Sequence, residues 1–302
     1  MNIIVYGAGA IGSLYGALLS EKNDVILIAR KPHADAIHKS GLKITGVINQ
    51  KYKINAQTLL KEIPEKTMLL IGVKVYDLEE SLTAMKDKIK PDTILVLMQN
   101  GLGNEEIGQR ILPKNLIVRA VVGVPVTFLK PGEIIYSAKT KTYLPDTREG
   151  RMVAKLFNTA DIETETVKDF QRVIWTKLVV NCVFNPLTAL LNIKNNKIRQ
   201  LTPITTTIIQ ECTAVAQAEG IMIENIQEKV NTVIEEAGEN LSSMLQDIMK
   251  HKKTEIDFLN GRIVELARKN GIAVPYNEMI VELLKFKEND YGVKSFQKIL
   301  PL

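Results

Sequence analysis

Asn2-Ile3-Ile4-Val5-Tyr6-Gly7-Ala8-Gly9-Ala10-Ile11-Gly12-Ser13 follows the initial Met1. A short apolar run with strand character ends in G-x-G-x-x-G and passes at once into a segment of helical character (11–21). This order of strand, glycine loop and helix gives the glycine spacing its meaning. The first glycine permits the tight turn, and the second lets a pyrophosphate approach the backbone. The third lets the helix pack close on the strand. Free N–H groups and the positive end of the helix dipole then face the phosphates. The plainer alternative is a tight βα turn with no ligand.

Working outward, the first half repeats the pattern. Apolar runs at 2–6, 25–29, 68–73, 93–98 and 116–122 are rich in Val, Ile, Leu and Met and have the length of strands. They are nearly continuous rather than alternating, as suits strands buried on both faces of a parallel sheet. Helical stretches at 11–21 and 78–88 lie between them, which predicts a doubly wound α/β domain. Segments 132–137 and 141–144 read as a late antiparallel addition. From about residue 170 strand signals stop. Helices are predicted at 171–192, 199–218, 225–249, 255–269 and 276–289, with a domain boundary near 165–170.

Composition agrees with an ordinary globular chain. Of 302 residues, 45% are hydrophobic and 24% charged, enough for two cores. The net charge of +5 is mild and dispersed, which suits an anionic small molecule and does not announce nucleic acid. Cys182 and Cys212 are the two cysteines, so a disulfide framework is excluded and a reducing compartment is expected. The amino terminus lacks the basic region and cleavage site of a signal peptide. Charges interrupt the apolar runs before the ~20 residues of a membrane span. A cytoplasmic location with no membrane or nucleic-acid partner is therefore expected.

The second strand ends Leu27-Ile28-Ala29-Arg30-Lys31. An NAD-selective site usually has Asp or Glu there to accept from the ribose 2′-OH. Here Arg30 offers a planar fork suited to a 2′-phosphate, with Lys31 a second cation, so NADP is favoured. Arg30 can also be read as a solvated strand-end charge. Lys74 and Asn100 follow two further strands, where ligands of open α/β sheets collect, although Asn100-Gly101 is equally an ordinary turn pair.

In the carboxyl-terminal half, Lys177, Asn181 and Asn185 recur every fourth residue in the otherwise apolar run 175–186 and so share one helical stripe. A Lys in such a helix is costly unless paired. The stripe suits either a buried hydrogen-bond network or a ligand cleft, and Pro186 should bend the helix. Thr254-Glu255-Ile256-Asp257 resembles a helix start, with Thr254 as cap, Asp257 three residues on and Glu255 favoured by the dipole. Lys250-His251-Lys252-Lys253 reads as a solvated helix end. The three histidines make no metal-ligand spacing, and no Ser/His/Asp or Cys/His set is present, so hydrolase and metalloenzyme chemistry have no support.

Together these segments resemble the 2-dehydropantoate 2-reductase (ketopantoate reductase) family. The resemblance rests on 7–13, Arg30, Lys74, 100–103, 175–187, 240–247, 254–257 and Asn270-Gly271-Ile272-Ala273-Val274-Pro275, in family order. Its most specific parts are 177–189 and Ser242-Ser243-Met244-Leu245-Gln246-Asp247. It implies a Rossmann-type α/β domain (1–168) and an all-α catalytic domain (169–302), with the active site in the cleft between them. It also implies NADPH-dependent reduction of a small 2-oxo acid, 2-dehydropantoate, to (R)-pantoate, by a monomer or homodimer. By resemblance Lys177 is the catalytic lysine and Glu255 the essential glutamate. Asn100, Asn181, Asn185, Asn195, Asn240 and Ser243 are substrate-side positions. Gly7, Gly9, Ala10, Ile11, Gly12, Arg30, Lys74 and Asn100 contact the cofactor. The rival expectations are reduction of another branched 2-oxo acid, and a non-catalytic NADP(H)-binding sensor.

Overall fold

Successive residues of a strand face opposite sides of a sheet, so a strand covered on both sides must be apolar throughout. That is the state of the first strand in the computed structural model, which describes residues 1–289. In β1 (Asn2–Tyr6), Ile3 and Val5 join one apolar cluster and Ile4 joins another on the opposite face. The chain forms two compact units, Met1–Gln99 with Gly103–Phe170, and Asn100–Leu102 with Gln171 onward.

In the first unit, β1 is followed by α1 (Ala10–Ser20), β2 (Asp24–Ile28), α2 (Lys31–Ser40), β3 (Leu42–Gly46), β4 (Gln50–Tyr52), β5 (Asn55–Gln57) and β6 (Thr67–Ile71). Then come α3 (Leu78–Met85), β7 (Ile94–Leu97), α4 (Asn104–Ile111), β8 (Leu116–Arg119) and β9 (Val121–Val122). The unit closes with β10 (Val126–Lys130), β11 (Glu133–Tyr136), β12 (Thr142–Pro145), α5 (Arg148–Thr159) and β13 (Thr164–Val167). The principal sheet has six parallel strands in the order β5-β2-β1-β6-β7-β8. Tyr6 pairs with Ile28 and with Ile71, so the loops after β1, β2 and β6 leave one carboxyl edge together.

The late antiparallel addition is larger than expected. Segment 132–137 contains β11, which pairs antiparallel with β10 but parallel with β3, in a four-stranded sheet β10-β11-β3-β4. Segment 141–144 overlaps β12, which pairs antiparallel with β9 and parallel with β13. Neither strand extends the principal sheet.

The second unit is helical: α6 (Phe170–Leu191), α7 (Thr202–Ala218), α8 (Ile226–Ala237), α9 (Ser243–Met249), α10 (Asn260–Lys269) and α11 (Pro275–Asn289). The helix expected at 225–249 is two helices. Gly238 takes a positive φ of 52°, open to glycine at little cost, and Ser242 caps the restart by accepting from the Leu245 N–H. The helix expected at 199–218 opens as a tighter 3₁₀ segment, Asn195–Leu201. The start expected at Thr254 is also different. Thr254 Oγ1 accepts from Ile256 N at 3.3 Å, but the turn that follows, Ile256–Phe258, is 3₁₀, and α10 begins at Asn260. Asp257 pairs with Lys285 at 2.7 Å instead of capping. The α6 helix is long and apolar enough to cross a membrane, yet 67% of its most apolar stretch is buried within the protein. Pro186 sits inside this helix without ending it.

Candidate active site

The glycine loop is held by bonds and by lack of room. Gly7 N and Ala8 N donate to Ile28 O at 3.1 and 2.9 Å, tying the loop to the end of β2. Gly7 has φ +91°, and a Cβ there would lie 2.5 Å from Val73 N. A Cβ at Gly12 would lie 2.6 Å from Gly7 O, so helix and strand approach as closely as the motif requires. At Gly9 a Cβ would meet nothing within 4 Å. The absent side chain there leaves space beside the helix end rather than making room for protein. The first intrahelical bond of α1 is Ser13 N to Gly9 O at 3.0 Å. The N–H groups of Ala10, Ile11 and Gly12 precede it, and an anion at this end would meet them with the helix dipole behind. These features fit the pyrophosphate of a dinucleotide.

Arg30 occupies the cap position of α2 and is exposed, two residues past the end of β2. Lys74 occupies the cap position of a 3₁₀ turn, Val75–Asp77, just after β6. Glycine loop, Arg30 and Lys74 thus share the carboxyl edge of the sheet. A support that the sequence did not announce lies behind them. His33 Nδ1 accepts from Gly132 N at 2.9 Å, so its proton sits on Nε2, which donates to Ser13 Oγ at 2.9 Å. Ser13 Oγ donates in turn to Ala8 O at 3.3 Å, within the loop. Burial lowers the His33 pKa to about 4, which keeps the ring neutral.

In the helical unit, Lys177 and Asn181 are half-buried and Asn185 is buried, on the α6 stripe. Glu255 is 6% exposed and accepts from Asn100 Nδ2 at 3.2 Å. Two candidates 155 residues apart are therefore in direct contact. The Asn100 turn is fixed there by Gly101, whose φ of +84° and close approach to Phe258 O leave no room for a side chain. Asn195 N donates to Asn240 O at 3.1 Å, which joins another pair of candidates through the backbone. Asn195 Oδ1 is buried with no hydrogen-bond partner among the described residues. Ser243 is exposed at the start of α9, while its neighbour Ser242 is buried, with its hydroxyl 2.6 Å from that of Thr188 on α6. The Lys250–Lys253 run follows α9 and is exposed.

A six-stranded parallel sheet carrying a glycine loop at its carboxyl edge, followed by an all-helical unit, defines a Rossmann-type oxidoreductase architecture. The family model "Ketopantoate reductase PanE/ApbA" matches residues 3–149, and its carboxyl-terminal counterpart, "Ketopantoate reductase PanE/ApbA C terminal", matches 169–288. The chain belongs to the ketopantoate reductase family. It is 35% identical to a 2-dehydropantoate 2-reductase of Pyrococcus abyssi over 97% of this chain and 100% of the relative. It is 32% identical to that of Archaeoglobus fulgidus over 95% and 98%. Among solved structures, a PanE/ApbA family ketopantoate reductase from Ralstonia eutropha JMP134 superposes with a TM-score of 0.88 at 28% identity, covering 96% of this chain and 99% of the other. D-mandelate dehydrogenase in a ternary complex with NADH and anilino(oxo)acetate also reaches 0.88, at 25% identity, covering 97% and 100%.

Proposed function

We propose that the protein reduces 2-dehydropantoate to (R)-pantoate with NADPH, a reaction of pantothenate and coenzyme A synthesis. The observation that carries this reading is the Asn100–Glu255 contact, a buried carboxylate with a neutral amide donor already on one oxygen. A carboxylate accepts hydrogen bonds only, so it suits a substrate that brings a hydroxyl as well as a 2-oxo acid group. Dehydropantoate has that hydroxyl and simple branched oxo acids lack it. The near-full-length likeness to relatives named for this reaction supports the same choice.

The glycine loop with Ala10, Ile11 and Gly12 would hold the pyrophosphate, and Arg30 and Lys74 the adenosine side with its 2′-phosphate. When bound, the reduced nicotinamide supplies a hydride to the C2 carbonyl carbon. The oxygen then gains charge and must receive a proton. Lys177 is the candidate donor, an ammonium on an apolar helix in the unit that would hold substrate. Asn181 and Asn185 lie one and two turns further along the same stripe and would orient the oxo acid. Asn195, Asn240 and Ser243 would complete the substrate side, and Asn100 would stand between cofactor and substrate.

The neighbour solved with NADH supports a second reading, reduction of an aryl 2-oxo acid with NADH. Arg30 and the lack of an acid after β2 weigh against it. The test is cofactor oxidation by the purified protein with 2-dehydropantoate, 2-oxoisovalerate and phenylglyoxylate, each with NADPH and NADH. The highest kcat/KM is expected for 2-dehydropantoate with NADPH. Preference for phenylglyoxylate with NADH would replace this reading by the second. No turnover with any pair would leave an NADP(H)-binding sensor.

A further inference from the structure

Pro186 lies within α6, one residue past Asn185 of the polar stripe. Proline has no N–H, so the carbonyl four residues back, that of Cys182, lacks its regular i→i−4 donor. Cys182 is fully buried, so water cannot serve instead. The donor comes from another helix. Asn260, fully buried at the first position of α10, places Nδ2 3.0 Å from Cys182 O.

The amide is held in that orientation by its own neighbours. Asn260 Nδ2 also donates to Asn277 Oδ1 at 2.9 Å, and Asn277 Nδ2 donates to Glu211 Oε2 at 2.7 Å. Glu211 further accepts from the backbone N–H of Tyr276 and Asn277 at 2.9 and 3.0 Å. A carboxylate accepts only, so the Asn277 amide must turn its NH₂ to Glu211 and its oxygen to Asn260. Asn260 then faces two oxygens and can serve both only with its NH₂. Flipping it would set oxygen against oxygen. One chain of bonds thus runs from α7 through α11 and α10 to the orphan carbonyl of α6, and Asn260 is only five residues after Glu255.

We propose that Asn260 is a positioning residue for the substrate site: it stands in for the backbone donor missing at Pro186 and so holds the turn of α6 that bears Asn181 and Asn185 in register with Glu255. It rests on the functional reading above only for its kinetic readout. Loss of the donor should let the turn at 182–186 relax by a fraction of an ångström, a scale at which catalytic positioning is sensitive. The glycine loop belongs to the other unit, so cofactor affinity should not follow.

The experiment is a rescue. Asn260→Ala is expected to lower kcat/KM for the oxo acid about tenfold to a hundredfold, with the KM for NADPH unchanged. Adding Pro186→Ala returns a backbone N–H to Cys182 O and should restore most of that loss. Asn260→Ser, alone and with Pro186→Ala, gives the same comparison in a milder background should Asn260→Ala fail to fold. Hydrogen exchange needs no turnover. Amides of 182–188 should lose protection in the single variant and regain it in the double, while those of α7 do not change. Unchanged kinetics and exchange, parallel losses for oxo acid and NADPH, or a double variant no better than the single would overturn the proposal. A wild-type protein with no turnover would count against the functional reading alone, and hydrogen exchange would then decide Asn260.

Discussion

Acidification from pH 7.5 to 4.5 is expected to destabilise the amino-terminal unit through one side chain, His33. The ring is 3% exposed, packs against Phe128 with centroids 4.8 Å apart, and accepts the Gly132 N–H on Nδ1. Protonation would put a second donor opposite that N–H. Burial lowers the pKa from 6.5 to about 4. Above pH 6.5 the ring is neutral in both folded and unfolded chains, and its contribution is fully present. As the pH falls below 6.5, the unfolded chain takes up a proton that the folded chain refuses, so stability falls until the folded ring also protonates near pH 4. The shift alone sets an upper bound of about 3 kcal/mol, and allowance for solvent screening reduces it to about 2 kcal/mol. Urea unfolding of wild type and His33→Gln at several pH values measures this. All other ionisable groups are common to the two proteins and cancel in the difference. The stability advantage of wild type should shrink by about 2 kcal/mol between pH 7.5 and 4.5. Parallel curves would show that His33 is not held neutral by the fold, and the tie from α2 through Ser13 to the glycine loop would lose its basis.

Lys177→Ala should keep its melting temperature and NADPH binding but lose about 10²–10⁴-fold in kcat, the usual cost of removing a general acid. A normal kcat in a destabilised protein would take Lys177 out of the mechanism and leave it in a buried network. Arg30→Asp should weaken NADPH binding about tenfold to a hundredfold, the loss of one charge-assisted contact, with NADH affected little. Equal responses to the two cofactors would mean that Arg30 does not read the 2′-phosphate. Gly9→Val should leave the melting temperature near wild type, because a Cβ there meets nothing within 4 Å, while dinucleotide affinity falls steeply. Unchanged affinity by titration calorimetry would place the pyrophosphate elsewhere.

The principal sheet is legible in the sequence because its strands are buried on both faces, and the apolar runs at 2–6 and 68–73 announce that directly. The second sheet is not. In Leu42–Gly46 only Leu42 and Ile44 are buried, and Gln50–Tyr52 is three residues, too short for a period to show. The break between α8 and α9 turns on Gly238, which is flanked by the good helix formers Glu235, Glu236, Ala237 and Glu239. It is the restart at Ser242, with its hydroxyl shared between Leu245 N and Thr188, that decides the boundary. Among candidate site residues, the types and spacings are visible one segment at a time. Their partners are not, because Asn100 meets Glu255, and the supporting Ser13 meets His33, through separations that no local pattern encodes.

Two features, one in α6 and one at the head of α10, look like faults in isolation but belong together. A proline inside a buried helix strands a carbonyl, and a buried asparagine at the head of α10 has an amide to satisfy. Each is unfavourable alone, since an unpaired polar group in the interior costs about 1–3 kcal/mol. Paired at 3.0 Å, the carbonyl gains a donor and the amide NH₂ an acceptor, although Asn260 Oδ1 stays buried with no hydrogen-bond partner among the described residues, and the bond adds a cross-link between helices that a regular i→i−4 bond cannot supply. A backbone bond would hold α6 only to itself. The side-chain bond holds it to the segment that begins at Glu255, and it does so within five residues of that carboxylate. The polar stripe and the carboxylate lie on different helical segments, and substrate recognition as proposed above would need them at a fixed separation. A helix with its own complete ladder would stabilise α6 equally well and leave that separation to packing alone.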